Sequence, residues 1–291
     1  MPLLLATSAL GTRVELVLDE PETPALRAIG EEAIAEVHFW HDRLSFFQPE
    51  SLLSFINRSA GHRAVRLDED VWGLLSLCDR VHGASGGSFD PAAAGLVRRA
   101  APGAGVPPSA HDGPADSGWA ALVELDEPSR SVRFRERGVR LDLGAVAKGF
   151  ALDRAAEALR AYDVGGALLH AGTSSVVAIG ASMRRLGLRA AGSVFWTTLR
   201  DGCLSVSAPR GGTIGGVPHV LRVGDRMRSA ADTAVCVGPA GSAAETDAWS
   251  TALAARGARP ARMPERLRSA IHDGRAWTAE GVHITPAPEA A

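Results

Sequence analysis

The stretch LDLGAVAKGFALD, Leu141 to Asp153, places an acid, two glycines, a lysine and a second acid where a strand-like run enters a helix. Gly144 lets the backbone turn closely, the first N–H groups of the following helix lack intrahelical partners, and Lys148 lies on its first turns, an arrangement that suits a phosphate. Asp142 beside such an anion needs a further role. It can cap the helix, bond a donor on the ligand, or work with a metal that inverts the local charge. The plain alternative makes Asp142 an N-cap and Lys148 a solvated surface lysine. A second stretch, ETDAWSTALAARG from Glu245 to Gly257, sets Asp247 and Thr251 four residues apart, hence on one helix face. A carboxylate and a hydroxyl there can share a hard cation, and Mg2+ fits because two protein oxygens leave most of an octahedral shell to phosphate and water. The plain alternative is a helix start, with Thr246 as the cap and Asp247 favouring the helix dipole.

The elements that must position these residues are legible in outline. Thr12 to Leu18 alternates like a half-buried strand, and after the break at Pro21–Pro24 a helix is expected from Ala25 to Arg43, with Leu26, Ile29, Ala33 and Val37 on its buried stripe. Short helices follow through Leu52, Leu53 and Ile56 and from Asp68 to Val81, and the glycine-rich turn GASGGSFDP closes that half. Residues 101–118, rich in Pro, Gly and Ala, read as a flexible surface excursion between a helix-rich portion, 1–100, and a strand-rich portion, 119–291. ALVELD, SVRFRE and VRLDL read as strands, followed by a helix from about Ala145 to Ala161, more short strands through Val237, a helix from Glu245 to Arg256, and a Pro/Arg-rich tail without a long periodic segment. Strand runs and helices without regular βαβ alternation predict an α+β fold with mixed or antiparallel sheets and packed helices.

Composition narrows the function classes. The 291 residues are 46% hydrophobic, enough for a sizeable core, and 31 basic against 33 acidic residues leave a formal charge of −2 with no basic stripe for nucleic acid. Three widely spaced cysteines, Cys78, Cys203 and Cys236, form no CxxC pair and argue against a disulfide framework or a structural zinc site. The opening MPLLLATSALG lacks a basic region, and its apolar run is shorter than the roughly 7 to 15 residues of a secretory core. The chain as written therefore reads as cytoplasmic and without a membrane span, with export left open if a leader has been trimmed. No GxGxxG or GxxxxGK[ST] pattern is present. GASGG fits GxSxG formally, but it follows a helix rather than a strand, against a nucleophile elbow. His38 and His41, three residues apart in HFWH, lack a third ligand nearby and read as a helix-face pair.

Five segments in order, ALGTRVEL, LSFFQPESLLSFIN, GGSFDP, LDLGAVAKGFALD and TDAWSTALAARG, resemble the ApbE flavin transferases (FAD:protein FMN transferases), and together they frame the chain from Leu10 to Gly257. The resemblance implies an ApbE-like, T-fold-related α+β architecture. It implies that Asp142 and Lys148 contact FAD, and that the backbone carbonyl of Ala145 joins Asp247 and Thr251 around Mg2+. Ser88, Phe89 and Asp90 would line the nucleotide site, and Leu10 and Phe47 would flank the flavin. Phe47 stands where the family often has tyrosine. The implied reaction cleaves the pyrophosphate of FAD, esterifies FMN to a threonine or serine hydroxyl of an acceptor protein and releases AMP, with Asp247 and Lys148 in the catalytic set and His219 the nearest counterpart of the family's base.

Besides Phe47, two segments of the chain depart from the family pattern. RVGDR, Arg222 to Arg226, replaces a DPxTG-like segment, and AGTSSV, Ala171 to Val176, replaces a GGD-like one, so that hydroxyls stand where a carboxylate is expected. An FAD-binding protein of the same fold that stores, senses or presents the flavin without transferring it is the alternative implied by these departures.

Overall fold

The computed structural model describes residues 1–92, 118–208, 213–214, 217–218 and 231–287. Strands β1 (Pro2–Ala9) and β2 (Thr12–Pro21) form a hairpin whose two-residue turn, Leu10–Gly11, holds φ of 55° and 71°. Two successive positive φ values match the twist of the flanking strands, and glycine takes one of them without a Cβ penalty. Helix α1 (Pro24–Leu44) starts on Thr23, whose hydroxyl accepts from the Leu26 N–H, and it buries Gly30, Ala33, Val37, Trp40 and Leu44 at helical spacing. Helix α2 (Leu52–Ser59), strand β3 (Val65–Arg66) and helix α3 (Glu69–Ser85) follow, the last capped by Asp68 and closed by Gly86 at φ 64°.

Beyond residue 118 a short helix α4 (Trp119–Leu122) leads into strands β4 (Val123–Asp126) and β5 (Ser131–Phe134), which with β3 make a small sheet in the order β3-β5-β4. Helix α5 (Ala147–Ala161) is followed by β6 (Ala167–Ala171), β7 (Ser175–Ile179), β8 (Arg184–Ala190), β9 (Ser193–Leu199) and β10 (Gly202–Ser207). The backbone pairs β11 (Thr213–Ile214) with β12 (Val217–Pro218), then continues through β13 (Thr233–Pro239), helix α6 (Ala243–Arg256), β14 (Arg268–His272), β15 (Trp277–Glu280) and β16 (Thr285–Pro286).

The main sheet has eight antiparallel strands in the order β1-β2-β6-β7-β10-β13-β14-β15, so strands from either side of the 93–117 segment share one sheet. Its two faces bury different partners, because successive side chains point to opposite sides. Along β7 and β10, Val177 and Cys203 face α1 and α5 with Leu16, Val37, Leu152 and Leu159, whereas Ala178 and Leu204 face the β16-β9-β8 sheet with Leu188 and Leu199. A third cluster, around Trp40, Leu75, Trp119, Phe150 and Trp249, joins the helices to the β3-β5-β4 sheet. This is the α+β fold with antiparallel sheets that the patterning predicts.

Three expectations require correction. VRLDL, residues 139–143, alternates apolar and polar residues but is not a strand, and Asp142 is buried together with Val139, Leu141 and Leu143. Its polar backbone is satisfied elsewhere: the Asn57 amide takes both the N–H and the C=O of Leu141, and the Asp142 N–H donates to Pro91 O. The ALVELD run opens as the helical turn α4 before β4 begins. The Pro/Arg-rich tail contains β14 and β15, which complete the main sheet. The excursion expected at 101–118 lies outside the described residues apart from Gly118, which precedes α4.

Candidate active site

Helices α5 and α6 cross at Gly149. A Cβ on that residue would lie 2.2 Å from Ala243 O and 2.7 Å from Ala244 N, so only glycine permits this approach. The contact brings the Gly149 N–H to Asp247 Oδ2 at 2.7 Å, joining the two segments singled out for their chemistry. One turn further along α5, Asp153 accepts from the Ala243 N–H at 3.0 Å and the Ala244 N–H at 2.9 Å, and thereby caps α6 from outside its own chain segment. Burial pushes the Asp153 carboxyl up to about 6, against the two N–H donors that favour its charged form. Helix α6 therefore starts at Ala243 rather than Glu245, and Thr246 is no cap: it is buried, with its hydroxyl donating to Ala243 O.

Asp247 is only 4% exposed, yet among the described residues no guanidinium pairs with it. Ser175 Oγ on β7 donates to its Oδ1 at 2.8 Å, and Ser205 Oγ on β10 donates to the same oxygen. Burial raises its carboxyl above the ordinary value, while the nearby Lys148 ammonium and then the Ser205, Ser175 and Gly149 hydrogen bonds pull the other way. One turn on, the Thr251 hydroxyl donates to Asp247 O at 3.1 Å and can accept from Ser207 Oγ at 3.4 Å, which leaves its oxygen one further lone pair. Ser207 is also 2.9 Å from Ser250. The run CLSVS of β10 thus turns Ser205 and Ser207 toward α6 and Leu204 and Val206 away from it.

At the entry to α5, Asp142 is buried and its Oδ1 accepts from the Gly144 N–H at 2.8 Å. It closes the turn rather than capping the helix, whose N-cap is Val146. The N–H groups expected to face an anion are largely engaged: Val146 and Ala147 donate to Leu143 O, and Gly149 to Asp247. Positive charge at this junction comes from Lys148, half-buried, whose ammonium spends one of its three N–H donors on Gly144 O at 3.2 Å. Ala145 sits in the turn between Gly144 and the helix, half-buried against the helical core.

The remaining expected residues divide. Phe89 is fully buried in the helical core, so its ring serves packing; its carbonyl lies 3.0 Å from His82 Nδ1. Asp90 accepts from the Ala92 N–H at 2.9 Å and from the Trp119 N–H at 2.9 Å, and Ser88 lies half-buried between them and the glycine turn. Pro91 O, next in the chain, holds the Asp142 N–H, which ties GGSFDP to LDLG. The Leu10 N–H donates to His41 Nδ1 at 3.1 Å, and His38 Nε2 is 2.7 Å from the Thr7 hydroxyl, so both histidines of HFWH fasten the first hairpin. Phe47 is 64% exposed and packs edge-on against Phe46. His219 and the segment Arg222 to Arg226 lie outside the described residues. Asn57, Asp153, Ser175, Ser205 and Ser207 were not singled out as site residues; a buried acid ending the DLGxxxKGxxxD pattern and the hydroxyl doublet of AGTSSV were the available signals.

The donors present fit a hard cation. Of the roughly four acceptor positions of a carboxylate, Asp247 has three occupied by the described residues and one left on Oδ2, and the nearby hydroxyl and backbone carbonyls offer oxygen donors. Among the described residues no group of three or more His, Cys, Asp or Glu forms a metal cage, so any cation here takes most of its shell from elsewhere.

These features define an α+β protein in which two crossing helices present a lysine, an aspartate and a threonine at one end of an antiparallel sheet. The family model for the ApbE family matches residues 10–270, and the chain belongs to that family. It is 30% identical over 161 residues to the FAD:protein FMN transferase of Treponema pallidum and 33% identical over 138 residues to that of Klebsiella pneumoniae. Those matches cover 50% and 46% of this chain and only 41% and 43% of the two relatives. Among solved structures, the ApbE protein of Thermotoga maritima superposes with a TM-score of 0.81 at 21% identity, over 97% of both chains. The flavin transferase ApbE of Vibrio cholerae superposes with 0.78 at 14% identity, also over 97% of both, and at these identities the likeness is one of fold. Among the described residues no helix is long and apolar enough to cross a membrane.

Proposed function

We propose that this chain transfers FMN from FAD to a threonine or serine hydroxyl of an acceptor protein in a Mg2+-dependent reaction that releases AMP. The observation that carries the reading is the Asp247 carboxylate, buried, held by hydroxyl and N–H donors with no guanidinium among the described residues, and favoured in its charged form by the nearby Lys148. A buried carboxylate without a paired cation is costly, and a metal diphosphate would neutralise it. In the transfer, the acceptor oxygen bonds to the FMN-side phosphorus, the bond from that phosphorus to the oxygen bridging to AMP breaks, and the hydroxyl proton passes to a base, for which His219 is the candidate. Mg2+, held by Asp247, Thr251 and the Ala145 carbonyl, would supply charge neutralisation at the diphosphate. Lys148 would hold the diphosphate in line, and Asp142 would fix the turn that carries Ala145 and Lys148.

Incubation of the protein with FAD, Mg2+ and candidate acceptor proteins is expected to give covalent flavin on the acceptor and one AMP per flavin, both lost in Asp247→Ala. Tight FAD binding with neither product, across acceptors that a family transferase modifies, would overturn transfer in favour of a flavin-binding role.

A further inference from the structure

Ser175 and Ser205 come from neighbouring strands and stand directly opposite each other in the β7–β10 register. Both are buried, at 1% and 2% exposure, and both hydroxyls converge on a single atom, Asp247 Oδ1. Cross-strand partners on one face are close enough to act on one target. The other oxygen, Oδ2, receives only the Gly149 N–H among the described residues. The carboxylate is therefore asymmetric: one oxygen has both acceptor positions filled, and the other has one left.

We propose that Ser175 and Ser205 are positioning residues that set cation specificity, confining Asp247 to one-oxygen coordination and so favouring Mg2+ over Ca2+. This rests on the reading that Asp247 ligates the cation of the transfer reaction. Ca2+ takes about 6 to 8 oxygens and commonly draws both oxygens of a carboxylate, whereas Mg2+ keeps about six in a tight octahedron and readily completes it with water and phosphate. With Oδ1 occupied by two donors, a two-oxygen grip would require both hydroxyls to release it inside a buried site. The hydroxyl chain extends the constraint: Ser250 lies 3.3 Å from Ser205 and 2.9 Å from Ser207, which in turn lies 3.4 Å from Thr251. Both side-chain oxygens of the cation set are thus oriented from β10.

The test titrates the FAD-bound protein with Mg2+ and separately with Ca2+ by calorimetry, for the parent, Ser175→Ala and Ser205→Ala. The quantity read is the ratio of the Ca2+ and Mg2+ dissociation constants, which a loss of general stability would not shift. The parent is expected to favour Mg2+, and each alanine variant to lower the ratio by ~10-fold, at the lower end of the roughly 10- to 100-fold that groups behind a metal ligand command. Ser175→Cys and Ser205→Cys, close in volume but weak donors, give the same readout if the alanine variants do not fold. An unchanged ratio in folded variants at both positions, with Mg2+ binding the parent, overturns this inference and leaves the transferase reading intact. If Mg2+ fails to bind the FAD complex of the parent, the cation assignment falls and this inference with it.

Discussion

The Asn57 side chain pairs with the backbone of Leu141, 84 residues later, as a neighbouring strand would: its Nδ2 donates to Leu141 O at 3.0 Å and its Oδ1 accepts from the Leu141 N–H at 2.8 Å. Leu141 is fully buried, so water cannot replace either bond. Asn57→Ala is expected to lower stability by about 2–3 kcal/mol, read from the shift in denaturant midpoint at constant m-value. A change under about 0.5 kcal/mol would mean that the LDLG segment keeps its shape without this amide.

Gly149 gives a prediction whose sign separates two effects. On an ordinary helix Gly→Ala stabilises by roughly 1 kcal/mol. Here the new methyl would meet the Ala243 carbonyl, and Gly149→Ala is expected to destabilise by about 1–3 kcal/mol and to loosen the α5–α6 contact that holds Asp247. A stabilised variant in thermal melts would show that the two helices can part at no cost.

For Lys148 the larger effect is expected on binding. Among the described residues its one hydrogen bond is at the surface, but its charge also offsets burial of the Asp247 carboxylate, so Lys148→Met should lower the melting temperature by a few degrees without unfolding the protein. FAD affinity should fall by ~10- to 100-fold, as for the loss of a charge-assisted hydrogen bond to phosphate, measured by flavin fluorescence titration. Unaltered affinity would remove Lys148 from the diphosphate site.

Asp153 carries a pH dependence. Its folded-state value, about 6, lies above the ordinary 3.8, so the folded protein binds the proton more tightly than the unfolded chain. The stability it contributes is full below about pH 4 and is lost as pH rises toward 6, the opposite of a salt-bridged aspartate. At about 1.4 kcal/mol per unit, the loss is on the order of 2–3 kcal/mol. The stability of the parent relative to Asp153→Asn should therefore decline between pH 4 and 6.5 in urea titrations, and a flat or rising difference would refute the burial argument.

Periodicity made the helices legible: α1 was expected at Ala25–Arg43 and runs Pro24–Leu44, because Thr23 and Pro24 mark its start in the sequence itself. Strands β14 and β15 were not legible, since a buried run as short as RSAIH, flanked by arginine and proline, gives no alternation to count. VRLDL misled for the converse reason, as alternation of apolar and polar residue types does not reveal that a side chain, not a strand, supplies the hydrogen bonds. At the site, Asp142, Lys148, Asp247 and Thr251 stood out by type and spacing. Ser175 and Ser205 did not, because their meaning comes from strand register and from a helix that meets them across the sheet face.

That register has a consequence for how the chain reaches its fold. Slipping β10 by one residue against its neighbours would turn Ser205 outward and set Leu204 or Val206 beneath Asp247, stranding a carboxylate against hydrocarbon. A misaligned sheet would then carry a penalty far larger than the loss of one strand pairing. The buried carboxylate also acts as a checkpoint on assembly, disfavouring a misaligned sheet at the step where α6, the helix that carries Asp247, docks against it.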